Sequence, residues 1–183
     1  MAATTTQGRA AVAIVWIAVA IGAVVVLLLA LLLSASVEYQ AVHVIGVSMS
    51  PTLNPGDYAL ARKTGGTAVH RGNIVVIRDP FDPHKDFIKR VVALPGERLR
   101  ITGGVVSING TPLSEPYLNR EPWTVNNTWP AGGTGFVIPR DSYFVMGDNR
   151  NHSSDSTVYG PVQQRTIEAV VFERVWPAPG AVR

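Results

Sequence analysis

Three short stretches hold most of the residue types able to do chemistry. Gly46-Val47-Ser48-Met49-Ser50-Pro51-Thr52-Leu53 offers hydroxyl groups, and Phe87-Ile88-Lys89-Arg90-Val91-Val92-Ala93-Leu94-Pro95-Gly96-Glu97 sets an amine in a largely apolar run. Gly147-Asp148-Asn149-Arg150-Asn151-His152-Ser153-Ser154-Asp155-Ser156 is a dense polar loop. A serine hydroxyl is a weak nucleophile that needs a neighbouring base, and a lysine can be that base only when unprotonated. Burial provides the means, because desolvation disfavours the ammonium and can bring a lysine pKa to about 7–8 in tuned sites. On the two-residue period of a strand, Phe87, Lys89 and Val91 share a face, a pattern that can place an ammonium against a hydrophobic core. Taken singly, each stretch has a plain structural reading: a turn opened by Ser-Pro-Thr, a surface lysine whose stem covers apolar neighbours, and a turn in which Asp and Asn bond their own backbone. Their occurrence together and in this order raises the functional reading above these.

Other chemistries find less support. The chain has no Cys, which excludes a disulfide framework, a thiol nucleophile and cysteine-ligated metals. The polar loop is a poor calcium site, since Arg150 and His152 stand where oxygen ligands are wanted and no acidic residue follows at the twelfth position. No metal or other cofactor is expected. A serine-histidine triad would have to use His43, His70, His84 or His152, and nothing around them forms a catalytic pattern. With 16 Lys and Arg against 13 Asp and Glu, a net charge of +3 and no long basic run, nucleic-acid binding is not expected.

The elements that must position these groups begin with an apolar run. Only 16% of the 183 residues are charged, below the roughly 25% of soluble domains. The reason is local: no charge falls between Arg9 and Glu38, and residues 11–33 are almost wholly Ala, Val, Ile and Leu. About 20 helical residues cross a bilayer core of roughly 30 Å, so residues 11–33 read as a transmembrane helix. Ser34-Ala35-Ser36 resembles a signal cleavage site, but the run exceeds the roughly 7–15 residues of a secretory core, which favours an uncleaved anchor. Arg9 is the only charge before the span, so the positive-inside bias places residues 1–10 in the cytoplasm and residues 34–183 on the far side. Removing Arg9 leaves 15 basic against 13 acidic residues, so the mild basicity carries little functional information.

The remainder is long enough for one domain with its own core. Strands are expected at residues 73–77, 87–93, 105–108, 143–146 and 169–172, which are β-branched or aromatic runs bounded by Gly, Pro, Asn or Asp. Asn109-Gly110 is a hairpin signal, because primed turns require positive φ. No helical period is sustained after the anchor. The expected fold is mostly β: an antiparallel sheet or partly open barrel, with a loop-rich subdomain over about 103–140 that includes a Pro- and Gly-rich stretch from 111 to 135.

With these blocks in place, the sequence resembles the bacterial type I signal peptidases. The resemblance covers the anchor and nearly all of the outer domain. It rests on Ser48-Met49-Ser50-Pro51-Thr52, on Arg71-Gly72-Asn73-Ile74-Val75-Val76, on residues 89–97 and on residues 147–156. It implies a β-barrel protease domain docked on the membrane, which removes signal peptides from exported preproteins after small residues at positions −3 and −1. It also implies Ser48 as nucleophile, Lys89 as general base, a Ser153 hydroxyl orienting the lysine, an acyl-enzyme, and an oxyanion held by the Ser48 backbone N–H. Asp148, Arg150 and Asp155 become structural residues of the loop. The implied partners are signal peptides, the lipid bilayer of the bacterial cell membrane and the protein-export translocon.

Small-residue specificity has a physical route, since a substrate strand added to a sheet points alternate side chains into pockets. Family position makes Val44, Met49, Leu53, Phe87 and Ile88 candidate walls, with Asp86 and Ile88 offering backbone partners. Trp123, Trp129 and Trp176 are candidates for the lipid interface or for packing under the long loop. The chain departs from the family at Gly46, where some relatives carry a second oxyanion donor, at Asn73, where Asp is usual, and at Thr157, where an Arg commonly pairs with the aspartate. The last leaves Arg150 as a candidate partner for Asp155. Two rivals remain: a repressor-type Ser/Lys autoprotease, which ordinarily carries a DNA-binding segment, and an inactive anchored binding domain.

Overall fold

The computed structural model describes residues 4–65, 69–82, 84–119, 121–124 and 135–182. These form two units, residues 1–39 and residues 40–183. The first is dominated by helix α1 (Thr4–Glu38). Within it, Ala10–Ser34 has a mean hydropathy of 3.1, so this helix is long and apolar enough to cross a membrane. The helix overruns the expected 11–33 at both ends, and it continues through the segment that resembled a cleavage site.

After α1 come β1 (Tyr39–His43), β2 (Tyr58–Lys63), β3 (Ile74–Arg78), β4 (Asp86–Ala93), β5 (Arg98–Thr102) and β6 (Val105–Ile108). β7 (Thr111–Pro112), β8 (Phe136–Val137) and β9 (Ser142–Met146) follow, then a four-residue helix α2 (Ser156–Tyr159), β10 (Val162–Gln163), β11 (Ile167–Trp176) and β12 (Gly180–Ala181). The larger sheet runs β1-β2-β11-β3-β4-β9-β10, with β12 also on β11, and the smaller runs β7-β6-β5-β8. Every register recorded between the strands is antiparallel. The sheets do not close into a barrel, so the fold is the mostly β, open arrangement expected.

The hairpin signal holds: Ile108 pairs with Thr111, leaving Asn109 (φ 51°) and Gly110 (φ 88°) as a two-residue primed turn. The small sheet starts at Arg98, ahead of the expected boundary near 103, because Arg98-Leu99-Arg100-Ile101 alternates outward charge with inward apolar side chains. Trp129 lies outside the described residues.

The core divides by sheet face. Val44, Met49, Leu53, Ile74, Val76, Ala169 and Val171 pack on one side of the larger sheet. Val75, Ile77, Val91, Tyr143, Val145, Val162 and Ile167 pack on the other. A third cluster, with Val92, Leu99, Ile138, Phe144 and Met146, joins the small sheet to β4 and β9. β4 takes part in all three, and its middle carries the chemistry described next.

Candidate active site

β4 is paired along its first half on one side only. β3 covers it through Ile74↔Arg90 to Arg78↔Asp86, whereas β9 joins it only from Arg90 onward. The other edge of residues 86–89 therefore faces the chain that follows β1, and a cavity of about 130 Å³ lies between them. His43, Val44, Ile45, Gly46, Ser48, Met49, Asp86, Phe87, Ile88 and Lys89 line it. Five of the six expected substrate-contacting residues are thus on its wall. The exception is Leu53, which is fully buried in the core and absent from the lining, because its amide closes a turn onto Met49 O and carries the side chain inward.

Lys89 Nζ donates to Ser48 Oγ at 2.9 Å and to Ile88 O at 3.0 Å. The lysine is only 3% exposed and its Nζ lies 4.9 Å from the centre of the Phe87 ring, on the face that strand alternation predicts. Among the described residues no carboxylate lies within ion-pair distance of it. Burial therefore dominates and pushes its pKa down to about 8, against the smaller opposing effects of the Asp155 and Asp79 charges.

Ser48 is fixed from two sides. Its own turn bonds Ser50 N to Val47 O and Leu53 N to Met49 O, and neither uses the Ser48 amide N–H. From the polar loop, Asn149 N donates to Ser48 O at 2.9 Å and Asn149 Nδ2 to Val47 O at 3.3 Å. Gly147 is required where these meet, since a Cβ there would lie 2.5 Å from Ser48 O and 2.3 Å from Ser153 Oγ. A Cβ at Gly46 would meet nothing within 4 Å.

Ser153 is brought to this spot but not to the lysine. Its hydroxyl is buried and has no hydrogen-bond partner among the described residues. The expected bond from Ser153 to Lys89 is not made in this structure; the amine bonds Ser48 and Ile88, and the Ser153 side chain lies over Gly147. The suggested Asp155–Arg150 pair is also corrected. Asp155 caps α2, accepting from Thr157 N at 3.0 Å, Thr157 Oγ1 at 2.6 Å and Gly147 N at 2.9 Å. Thr157 thereby fills the role an arginine would take, and Arg150 pairs instead with Glu115.

Sequence reasoning passed over Arg90, the residue that ties the sequence blocks together. It is 1% exposed and grips Asp148 with Nε at 2.8 Å and NH2 at 2.7 Å. It also donates to Gly72 O at 2.8 Å, while Thr52 Oγ1 donates to Asp148 Oδ2 at 2.5 Å. One guanidinium so joins the serine turn, the 71–76 block, β4 and the polar loop. The signal was present: an arginine beside a buried lysine in an apolar strand needs its own carboxylate. Asn73, in place of the family's Asp, accepts from His70 N at 2.8 Å, and Arg71 pairs with Glu97.

Of the histidines only His43 lines the cavity, and among the described residues it makes no hydrogen bond to Ser48 or Lys89. His43 stacks on Tyr58 with ring centroids 4.5 Å apart, while His70, His84 and His152 are exposed. Among the described residues no cluster of His, Asp or Glu suited to a metal ion occurs.

A family model described as signal peptidase, peptidase S26, matches residues 14–176. The chain belongs to the signal peptidase family. Signal peptidase I of Leptolyngbya laminosa is 36% identical over 148 residues, which is 75% of this chain and 69% of that protein. Signal peptidase I V of Bacillus subtilis is 34% identical over 138 residues, 70% of this chain and 80% of the relative. A crystal structure of a signal peptidase I from Enterococcus faecalis matches with a TM-score of 0.49 and 32% identity, over 57% of this chain and 97% of that one. Membership brings the reaction class, peptide-bond hydrolysis, and an apolar N-terminal helix fits an anchored member of such a family.

Proposed function

We propose that this protein is a membrane-anchored endopeptidase that cleaves signal peptides from exported preproteins with Ser48 as nucleophile and Lys89 as general base. The observation that carries the reading is the 2.9 Å bond between the hydroxyl of Ser48 and a buried amine with no carboxylate partner among the described residues. As Ser48 Oγ attacks the scissile carbonyl, its proton passes to neutral Lys89. The Ser48 N–H holds the oxyanion. The lysine then gives the proton to the leaving amine as the C–N bond breaks, leaving an acyl-enzyme. Water, deprotonated by the same lysine, cleaves the ester and the proton returns to Ser48. Once Ser48 Oγ is acylated, the buried hydroxyl of Ser153, which lies over Gly147 and has no partner among the described residues, is our candidate for orienting the amine.

The substrate enters as a strand along the open edge of residues 86–89, with alternate side chains directed into the cavity. At about 130 Å³ the cavity is small beside the roughly 300–1,000 Å³ of sites that engulf larger ligands, which suits small side chains at −3 and −1. In this reading residues 1–10 lie in the cytoplasm, 11–33 span the membrane and 34–183 form the catalytic domain outside, where the translocon delivers preproteins.

The test is a paired one. Ser48→Ala and Lys89→Ala, in the full chain in detergent micelles, should each abolish cleavage of a preprotein while the circular dichroism spectrum stays that of the wild type. Normal turnover by either variant ends the dyad assignment, and replacing all four histidines without loss removes the triad alternative.

A further inference from the structure

Beyond β7 the chain makes polar contacts with the polar loop, buried at Glu115 and exposed further along. Glu115 receives Arg150 at 2.5 Å and 3.3 Å, in a pair whose side chains are 8% and 7% exposed. Arg150 Nε in turn donates to Gly147 O at 3.1 Å, one residue before the pair of loop residues that ends by gripping Ser48 O. Tyr117 donates its hydroxyl to Glu115 at 2.7 Å and lays its ring 3.9 Å from the guanidinium carbon of Arg90. Further along, Asn151 Nδ2 donates to Pro122 O at 3.0 Å, Thr124 N donates to Asn151 Oδ1 at 2.9 Å, and Trp123 lies 5.5 Å from the Arg150 guanidinium.

Two arginines thus carry the loop and the serine turn, and the same short segment covers both. Arg90 holds Asp148 and, through it, Thr52 in the serine turn. Arg150 holds the Gly147 carbonyl. Each guanidinium is buried, so each needs a carboxylate and a dry surrounding to stay where it is. Tyr117 supplies the cover for the face of Arg90 by a cation–π contact that strengthens when desolvated. Glu115 supplies the countercharge of Arg150. Burial first, and the neighbouring Glu115 carboxylate second, raise the phenol pKa, so Tyr117 stays a donor across the working range.

We propose that residues 115–119 act as a strap that positions the dyad, with Glu115 and Tyr117 holding Ser48 Oγ on Lys89 Nζ through Arg150 and Arg90. The proposal rests on the Ser48/Lys89 reading. Neither strap residue touches the reacting atoms; both are positioning residues. Loss of the Glu115 charge leaves Arg150 buried and unpaired, and the guanidinium then turns toward water and draws Gly147 with it. Gly147 has no free space, since Ser48 O and Ser153 lie against its Cα, so a shift there reaches the nucleophile. A displacement of roughly 1 Å at a reacting group can cost about 10²-fold in rate.

The full chain in detergent micelles, assayed on one preprotein with kcat and KM measured separately, tests this. Glu115→Gln and Tyr117→Leu should lower kcat about 10- to 100-fold with KM little changed, and Tyr117→Phe, which keeps the ring on Arg90, should recover most of the loss. A kcat that stays at the wild-type level while Tm falls makes the strap merely structural and overturns the proposal. A rise in KM with kcat intact makes it a substrate contact and overturns it equally. Glu115→Asp keeps the charge and shortens the reach by one methylene; should Glu115→Gln fail to fold, a wild-type kcat in this variant refutes the positioning role and a loss of about tenfold or more supports it. Ser48→Ala and Lys89→Ala measured alongside separate the two readings: turnover by either refutes the dyad itself, whereas silent dyad variants with unaffected strap variants refute only the strap.

Discussion

The pH dependence of cleavage offers the sharpest check on the lysine base. With its pKa pushed down to about 8, roughly one Lys89 in ten is neutral at pH 7 and about one in a hundred at pH 6. An unshifted lysine near 10.4 would be neutral in only about one molecule in 2,500 at pH 7, so burial raises the supply of base by about 250-fold. kcat/KM should therefore rise tenfold per pH unit and level off just above pH 8. The perturbation is Asp79→Asn. Asp79 is nearly buried, its Oδ1 accepts from Phe81 N at 2.8 Å, and its charge is one of two that hold the Lys89 pKa up against burial. Removing that charge lets desolvation act further, so the acid limb should move to lower pH, with faster cleavage at pH 6–7 and an unchanged plateau. Asp155→Asn shifts the lysine in the same direction, but it also disturbs the cap of α2 and the bond to Gly147, which makes Asp79 the cleaner probe. A stopped or quenched assay on a fluorogenic signal-peptide substrate from pH 5.5 to 9.5 reads the limb directly. A limb that stays put or moves upward in Asp79→Asn refutes the electrostatic account. A limb near the ordinary histidine value of about 6.5, lost in His43→Phe, refutes the lysine itself.

Three further outcomes follow from the same geometry. Lys89→Met should raise Tm at pH 7 while abolishing turnover. The unfolded lysine binds more protons than the folded one between about pH 8 and 10.5, so the burial penalty of about 3 kcal/mol is in full force below pH 8 and fades as pH rises to 10.5; thermal melts of the two proteins across that range should converge. Asp148→Asn, which leaves Arg90 buried without its fork partner, should cost about 3–5 kcal/mol by denaturant titration, and Arg90→Met with Asp148→Leu should cost less than Asp148→Asn alone. Gly147→Ala should reduce kcat by about 10²-fold, and adding Ser153→Gly should not restore it, because the clash at 2.5 Å with Ser48 O remains.

The strands legible in the sequence were those made of β-branched or aromatic runs. Val105–Ile108 has the expected bounds, and the strand expected at 143–146 gains only Ser142. β2, Tyr58–Lys63, escaped because Ala59 and Ala61 are its inward residues and alanine carries no strand preference; pairing with β11 makes it a strand. β5 has the right alternation, but with arginines outward it was not among the expected strands. Asp155 was misassigned for a different reason. Asp-Ser-Thr before a short helix is an N-cap pattern, and seeking a charged partner for the carboxylate overlooked the backbone amides two residues on and eight residues back.

Strand β4 shows why the proposed base was readable and its neighbour was not. Lys89 and Arg90 are adjacent cations in a run of apolar residues, and strand alternation sends them to opposite faces of β4. On one face no carboxylate among the described residues approaches within ion-pair distance, and loss of hydration outweighs the more distant Asp155 and Asp79 charges, which lowers the lysine pKa to about 8. On the other, Asp148 meets the guanidinium in two parallel bonds and keeps it charged. Exchanging the two residue types would defeat both roles, since arginine does not deprotonate and lysine cannot fork onto a carboxylate. Lys89 is legible from its own surroundings in the chain, because lack of a partner needs only apolar neighbours. The role of Arg90 depends on a carboxylate 58 residues away, and only the fold brings that carboxylate to it.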